Sequence, residues 1–133
     1  MSELSITTSQ VQGNTTVTIL HLNGHLHGAT EHELLDHARQ SYEDGARHIL
    51  LDLTELEVLS SAGLRAIQNI FKILTPPSDM ETMHEHGAEP YKSPYLKLVC
   101  PNPQINYVLS ITGFMQSLLI FNNLEDALQS FSS

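Results

Sequence analysis

One cysteine, Cys100, stands among the 133 residues, so no intrachain disulfide can form and the fold must rest on apolar burial. At the end of an apolar run, that thiol reads as a small core residue rather than a nucleophile. Positive charge is scarce: six Lys and Arg face fifteen Asp and Glu, a formal charge of −9. Such a field repels nucleic acid phosphates and anionic lipid headgroups, so the expected partner is a protein, with no direct nucleic acid and no membrane. No window nears the ~18 consecutive apolar residues that a membrane span requires. The opening "MSELSITTSQ" has neither a charged n-region nor an apolar run, and a soluble cytoplasmic protein is expected. Three chemical signatures are missing as well. No glycine-rich loop is built to cradle phosphates, no G-x-S-x-G elbow presents a nucleophile, and Asp52 lacks the neighbouring carboxylates of a receiver-like phospho-aspartate site. The chain therefore reads as a non-enzyme with no cofactor.

What is present is enough apolar material, 41% of residues, for one sizeable core, so residues 1–133 are expected to form one domain. Leu4 and Ile6, then Val17, Ile19, Leu20 and Leu22, mark two strands around the turn residues "VQGNT", an antiparallel hairpin. Leu34, Leu35, Ala38 and Tyr42 share a helical face, with Thr30 and Glu33 in a capping-box pattern at its start and Gly45 at its end. "HILLDL" is nearly continuous in apolar residues and suits a central strand covered on both faces. Leu64, Ile67, Ile70, Phe71 and Leu74 then recur at helical spacing until Thr75, Pro76 and Pro77 stop the helix.

Residues 75–94 carry four prolines without periodicity and read as a long loop insertion, with Met80, Met83, Tyr91 and Tyr95 as an adhesive patch or as local packing. "YLKLVC" resumes as a strand. A helix follows with Asn102 as N-cap, Pro103 in its first turn, Ile105, Val108 and Leu109 on its apolar face and Gly113 past its end. "SLLIF" makes a further strand, and Asn123 caps a last helix bearing Leu124, Ala127, Leu128 and Phe131. The predicted class is α/β: a mostly parallel central sheet of about five strands, opened by an antiparallel hairpin, with about four helices. The loops after Leu22, Leu53, Cys100 and Phe121 then gather at the carboxyl edge of the sheet, where sites on open α/β sheets lie.

That edge carries the most informative stretch, "LDLTELEVLSSAGLRAIQNIFKIL", a strand that hands over to a helix through two serines. Ser60 and Ser61 fall at the N-cap and first turn, and either hydroxyl suits a cap. The same helix start favours anions, so phosphate on Ser61 sits there without strain. It adds a charge of about −1.5 to −2 to a surface that already holds Glu55 and Glu57. Gly63 admits either the close approach of a partner or tight packing of its own helix.

"LDLTELEVLSSAGLRAI" resembles the central motif of STAS domains, specifically the anti-sigma factor antagonist family, in which a strand ending in Asp-Leu-Ser/Thr leads to a Ser-Ser-Ala-Gly-Leu or Asp-Ser-Ser-Gly-Leu turn. "NGHLHGAT" resembles the family's Gly-x-Leu-Asp segment, and "NPQINYVLSITGFMQSLLIFNNLEDAL" its closing helix, strand and helix. The resemblance implies a STAS-like single domain that works as a partner switch. The antagonist binds an anti-sigma factor of the GHKL serine-kinase class and so frees a sigma factor; phosphorylation breaks the complex, and a metal-dependent protein serine phosphatase restores it. The phosphoacceptor aligns with Ser61, with Ser60 as the alternative. The implied partner-binding surface is Gly24, His25, Leu26, His27, Thr30, Ser60, Ser61, Ala62, Gly63 and Leu64. A STAS adaptor that regulates a non-sigma partner, such as a phosphatase or a transport complex, is the alternative function.

One departure from the family is informative. Where Gly-Glu-Leu-Asp is common, this chain has Gly24, His25, Leu26 and His27, two imidazoles in place of two carboxylates. His27 either pairs with the phosphate or is a solvated loop histidine. Eight histidines raise a metal site, above all in "HLNGHLH" and "METMHEHGAE". Zinc needs three or four ligands converging at fixed distance, which the spacing of His84 and His86 alone does not provide, so no metal is expected.

Overall fold

The structure, a computed structural model, describes residues 3–79, 92–111 and 117–132. Strand β1 (Leu4–Val11) pairs antiparallel with β2 (Val17–Leu26), with Leu4 opposite Gly24 and Val11 opposite Val17. Helix α1 (Glu31–Glu43), strand β3 (Ile49–Leu59), helix α2 (Ser61–Leu74), strand β4 (Leu96–Val99), helix α3 (Pro103–Ile111), strand β5 (Leu119–Phe121) and helix α4 (Leu124–Ser132) follow. Residues 77–79 add one helical turn. The sheet order is β1-β2-β3-β4-β5, with every pair after the first parallel. The expected α/β class with an opening hairpin and a central β3 is the observed one.

This order fixes where the helices go. Three right-handed crossovers that all step in one direction place α1, α2 and α3 on the same face of the sheet. There Leu20, Leu22, Ile49, Leu51, Leu96 and Leu98 meet Leu34, Ile67, Ile70, Ile105 and Leu109, all buried. Side chains alternate along a strand, so Val17, Ile19, Leu50 and Val99 point the other way. They are buried under Ala127 and Phe131 of α4. Each fully buried aliphatic side chain contributes on the order of 2 kcal/mol. Lys97 is the polar exception in β4: it lies beneath α4, where its ammonium donates to the Ser130 carbonyl at 3.1 Å and hydroxyl at 2.9 Å and stands 4.4 Å from the Phe131 ring centroid. Cys100 is fully buried, and burial pushes its thiol pKa up, as suits a core residue.

Two caps are as the sequence predicts. The Asn102 side chain accepts from the amides of Gln104 (2.9 Å) and Ile105 (3.4 Å), and that of Asn123 from the amide of Asp126 (2.8 Å). The capping box at α1 is not formed in the expected way. Thr30 is the N-cap residue, but its hydroxyl makes no side-chain cap bond; it accepts from the His27 amide (3.1 Å) and donates to the His25 carbonyl (2.8 Å). Both the acceptor and the donor of this hydroxyl are turned into the tighter β2–α1 turn, away from the first-turn amides of the helix. β3 also runs further than "HILLDL", through Leu59, so it delivers the chain straight to Ser60. Gly113 and most of the proline-rich segment, with Met80, Met83, His84, His86 and Tyr91, lie outside the described residues. Tyr95 is half-buried against the core and shares a recess with Tyr42, Thr75 and Pro77 at the amino edge of the sheet.

Candidate functional site

The carboxyl ends of β2 and β3 lie side by side, and the Ser60 amide donates to the Leu26 carbonyl at 3.0 Å. Ser60 is the N-cap of α2, with φ −99° and ψ 175°, and its hydroxyl accepts from the Gly63 amide at 3.4 Å. Ser61 is the first helical residue and is exposed. The two hydroxyls are thus in different situations: one is turned into the helix end, the other faces solvent beside the helix's unpaired N–H groups.

The α2 start lies tightly against β2. A Cβ on Gly63 would come within 2.8 Å of Leu26 Cγ and of Leu59 Cδ1, and within 2.9 Å of the Leu26 carbonyl oxygen. Close packing of the helix against its own strands therefore accounts for this glycine. Gly24, with φ 110°, is pressed against the Glu3 carbonyl, which a Cβ would meet at 2.2 Å. Of the other residues assigned to the partner surface, Leu26, Thr30, Ala62 and Leu64 are buried and form the framework, whereas His25, His27 and Ser60 are half-buried.

Glu3, which the sequence analysis did not single out, joins this edge. Its carboxylate lies 2.8 Å from His27 Nε2 and 3.5 Å from His25 Nδ1, and its carbonyl accepts the His25 amide at 3.0 Å. The hydrogen bond from His27, followed by that ring's charge, holds the Glu3 carboxyl below its ordinary pKa. His25 Nε2 faces Glu57 at 3.2 Å, and His27 Nδ1 accepts the Ala29 amide at 3.1 Å. Both ring nitrogens of His27 are engaged, so a phosphate on Ser61 would have to displace Glu3 to reach that ring. The signal for Glu3 was the hairpin register: with Leu4 and Ile6 on the core side and Leu4 opposite Gly24, the residue before β1 falls across from His25.

A second polar line runs across the uncovered part of the opposite face. Ser9 Oγ lies 2.9 Å from His21 Nε2, and His21 Nδ1 lies 2.8 Å from Asp52. Burial pushes the Asp52 carboxyl up, but hydrogen bonds from Thr54 and His21 outweigh it and hold the pKa below its ordinary value. Asp52 is thus part of a ladder of cross-strand hydrogen bonds.

Comparison with known proteins places this geometry. The family model described as "STAS domain" matches residues 8–76, just over half of the chain. No curated protein sequence matches. Among solved structures, an anti-sigma factor antagonist from Mycobacterium paratuberculosis is similar with TM-score 0.73 and 19% identity, over 97% of this chain and 96% of that one. A candidate anti-sigma factor antagonist from Thermotoga maritima gives TM-score 0.74 and 22% identity, over 96% and 95%. The Bacillus cell fate determinant SpoIIAA in its phosphorylated form gives 0.60 and 13%, over 94% and 97%. At these identities the likeness is one of fold, and it extends over nearly the full length of both chains. Among the described residues, no helix is long and apolar enough to cross a membrane. On the family match, supported by the shared fold, the chain belongs to the STAS domain family.

Proposed function

We propose that this protein is an anti-sigma factor antagonist, a binding protein and not an enzyme, whose partner is an anti-sigma factor of the GHKL serine-kinase class. In this reading the partner docks at the carboxyl edge formed by His25, His27, Ser60 and Ser61. The partner phosphorylates Ser61, and a metal-dependent protein serine phosphatase reverses the modification. The observation that carries the reading is the division of labour between the serines: the Ser60 hydroxyl faces the Gly63 amide while Ser61 stands exposed at the first helical position. Phosphate there is stabilised by the α2 dipole and free N–H groups, so the fold can stay as it is while the docking surface gains about −1.5 to −2 charge. Glu55 and Glu57 are exposed nearby at the end of β3, which makes the added charge cumulative.

The test is capture of partners from the native cell extract, followed by phosphorylation with the kinase retained and mapping by mass spectrometry. Phosphate is expected on Ser61 of the wild type and on no site in Ser61→Ala. Ser61→Asp should keep a cooperative melt, since an acid in the first helical turn suits the dipole, and should bind the partner more weakly. Phosphate on Ser60 alone, or full binding by Ser61→Asp, contradicts the assignment. Recovery of a transport complex or a lone phosphatase in place of the kinase assigns the chain to the STAS adaptors of non-sigma partners.

A further inference from the structure

Glu3, His25 and His27 are brought together by the hairpin register and the β2–α1 turn, although His25 and His27 alone are close in sequence. Their ligand atoms all lie within 4.8 Å of one another, and among the described residues they are the one such set of three His, Cys, Asp or Glu. The backbone that presents them is fixed without any ion. The Glu3 carbonyl accepts the His25 amide, and the buried Thr30 hydroxyl bridges the His25 carbonyl and the His27 amide. The three side chains themselves are exposed or half-buried, so an ion has access.

We propose that Glu3, His25 and His27 form a binding site for one divalent transition-metal ion of the zinc class, through Glu3 Oε2, His25 Nδ1 and His27 Nε2, with solvent completing the shell. Zinc binds nitrogen and carboxylate oxygen at about 2.0–2.2 Å, which separates tetrahedral ligands by about 3.4 Å. Here Glu3 is 2.8 Å from His27 and 3.5 Å from His25, and all three ligand atoms lie within 4.8 Å of one another, so seating the ion takes an opening of the Glu3–His27 contact by about 0.6 Å and side-chain rotation of the two imidazoles. Two imidazoles with one carboxylate select against magnesium and calcium, which take oxygen ligands.

The outer partners differ between the rings. Glu57, 3.2 Å from His25 Nε2, accepts a hydrogen bond from the N–H there and leaves Nδ1 to ligate, a carboxylate–histidine–metal arrangement. At His27 the Ala29 amide donates to Nδ1, whereas ligation through Nε2 puts the ring proton on Nδ1. Binding therefore exchanges the Ala29 hydrogen bond for the metal bond, and the site is weaker than a closed structural zinc site. An occupied site sets a dication next to Leu26, whose carbonyl holds the Ser60 amide. The proposal stands independently of the antagonist reading.

The test is calorimetric titration of tag-free protein with Zn2+, with elemental analysis after equilibrium dialysis. One ion per chain is expected. Affinity should fall by more than about tenfold in His25→Gln/His27→Gln and in Glu3→Gln, and be unchanged in His84→Gln/His86→Gln. Thermal melts of the metal-free variants check the fold, and Glu3→Gln, an exposed residue before β1, serves if the double variant melts early. No bound zinc, or an ion that survives both substitutions, overturns the site; loss only in His84→Gln/His86→Gln moves it to the proline-rich segment.

Discussion

The Ser60 amide donates to the Leu26 carbonyl at 3.0 Å, and this bond ties the strand end that carries His25 and His27 to the one that leads into Ser61. On one side of it His27 follows Leu26; on the other Ser61 follows Ser60. Neither segment can shift along the sheet without breaking that bond. The serine pair is therefore held at a fixed place against β2.

The two serines should separate cleanly in stability measurements. Ser60→Ala removes the N-cap oxygen and should cost about 0.5–1 kcal/mol, the low end of the usual range because the bond to Gly63 is long at 3.4 Å. Ser61→Ala should change stability by less than about 0.5 kcal/mol, as for other exposed positions. Urea unfolding of both variants measures the difference; equal losses would mean that the capping assignment is wrong.

Gly63→Ala should destabilise the protein by about 1–3 kcal/mol, although alanine is the better helix former by about 1 kcal/mol. The added methyl meets Leu26 and Leu59 side chains at 2.8 Å and the Leu26 backbone oxygen at 2.9 Å. The backbone atom cannot turn aside as a side chain can. Chemical denaturation gives the sign directly, and a neutral or stabilising result would show that the β2 end yields.

Acidification from pH 7 towards pH 5 should weaken the fold partly through His48. Burial, then the charge of Lys97, lowers its pKa in the folded protein below 6.5. The unfolded chain consequently takes up a proton first, so stability is full above about pH 6.5 and is lost as pH falls towards the folded value. His48 packs against Tyr95 and Phe131, with ring centroids 5.7 and 6.0 Å away. Melting temperatures of wild type and His48→Gln across this interval should converge as pH falls; parallel curves would remove His48 as the cause.

Replacing residues 80–89 with a short Gly-Ser linker should leave partner affinity and Ser61 phosphorylation within about threefold of wild type. The flanking segments lie at the amino edge, where Thr75 and Tyr95 share one recess and the Ile49 amide donates to the Tyr95 carbonyl at 2.8 Å. Ser61 begins at the other end of a fourteen-residue helix, about 20 Å away at 1.5 Å per residue. Binding curves for the two proteins decide; a tenfold loss would place the segment in the interface.

Local pattern was enough to read the strands and helices. The apolar cluster of β2, the helical spacing of Leu64 to Leu74, and the caps at Asn102 and Asn123 each depend on neighbours within a few residues. The Ser60–Ser61 join was legible for the same reason. What depends on register was not. Glu3 reaches His25 and His27 only because Leu4 pairs with Gly24, and the Ser9–His21–Asp52 line spans three strands. Thr30 shows the limit of motif reading: the residues of a capping box were present, yet a competing turn took the hydroxyl.

Lys97 changes character with the docking of α4. Its partners, the Ser130 carbonyl and hydroxyl and the Phe131 ring, belong to the last turn of α4. Until that turn arrives, β4 presents an open sheet face with a hydrated ammonium among apolar neighbours, a poor template for pairing with another chain. When the helix docks, the ammonium loses water and meets the carbonyl end of the helix, the end whose dipole attracts a cation. The lysine thus makes this sheet face a poor one for misassembly while it is uncovered, and a fastening once α4 lies over it.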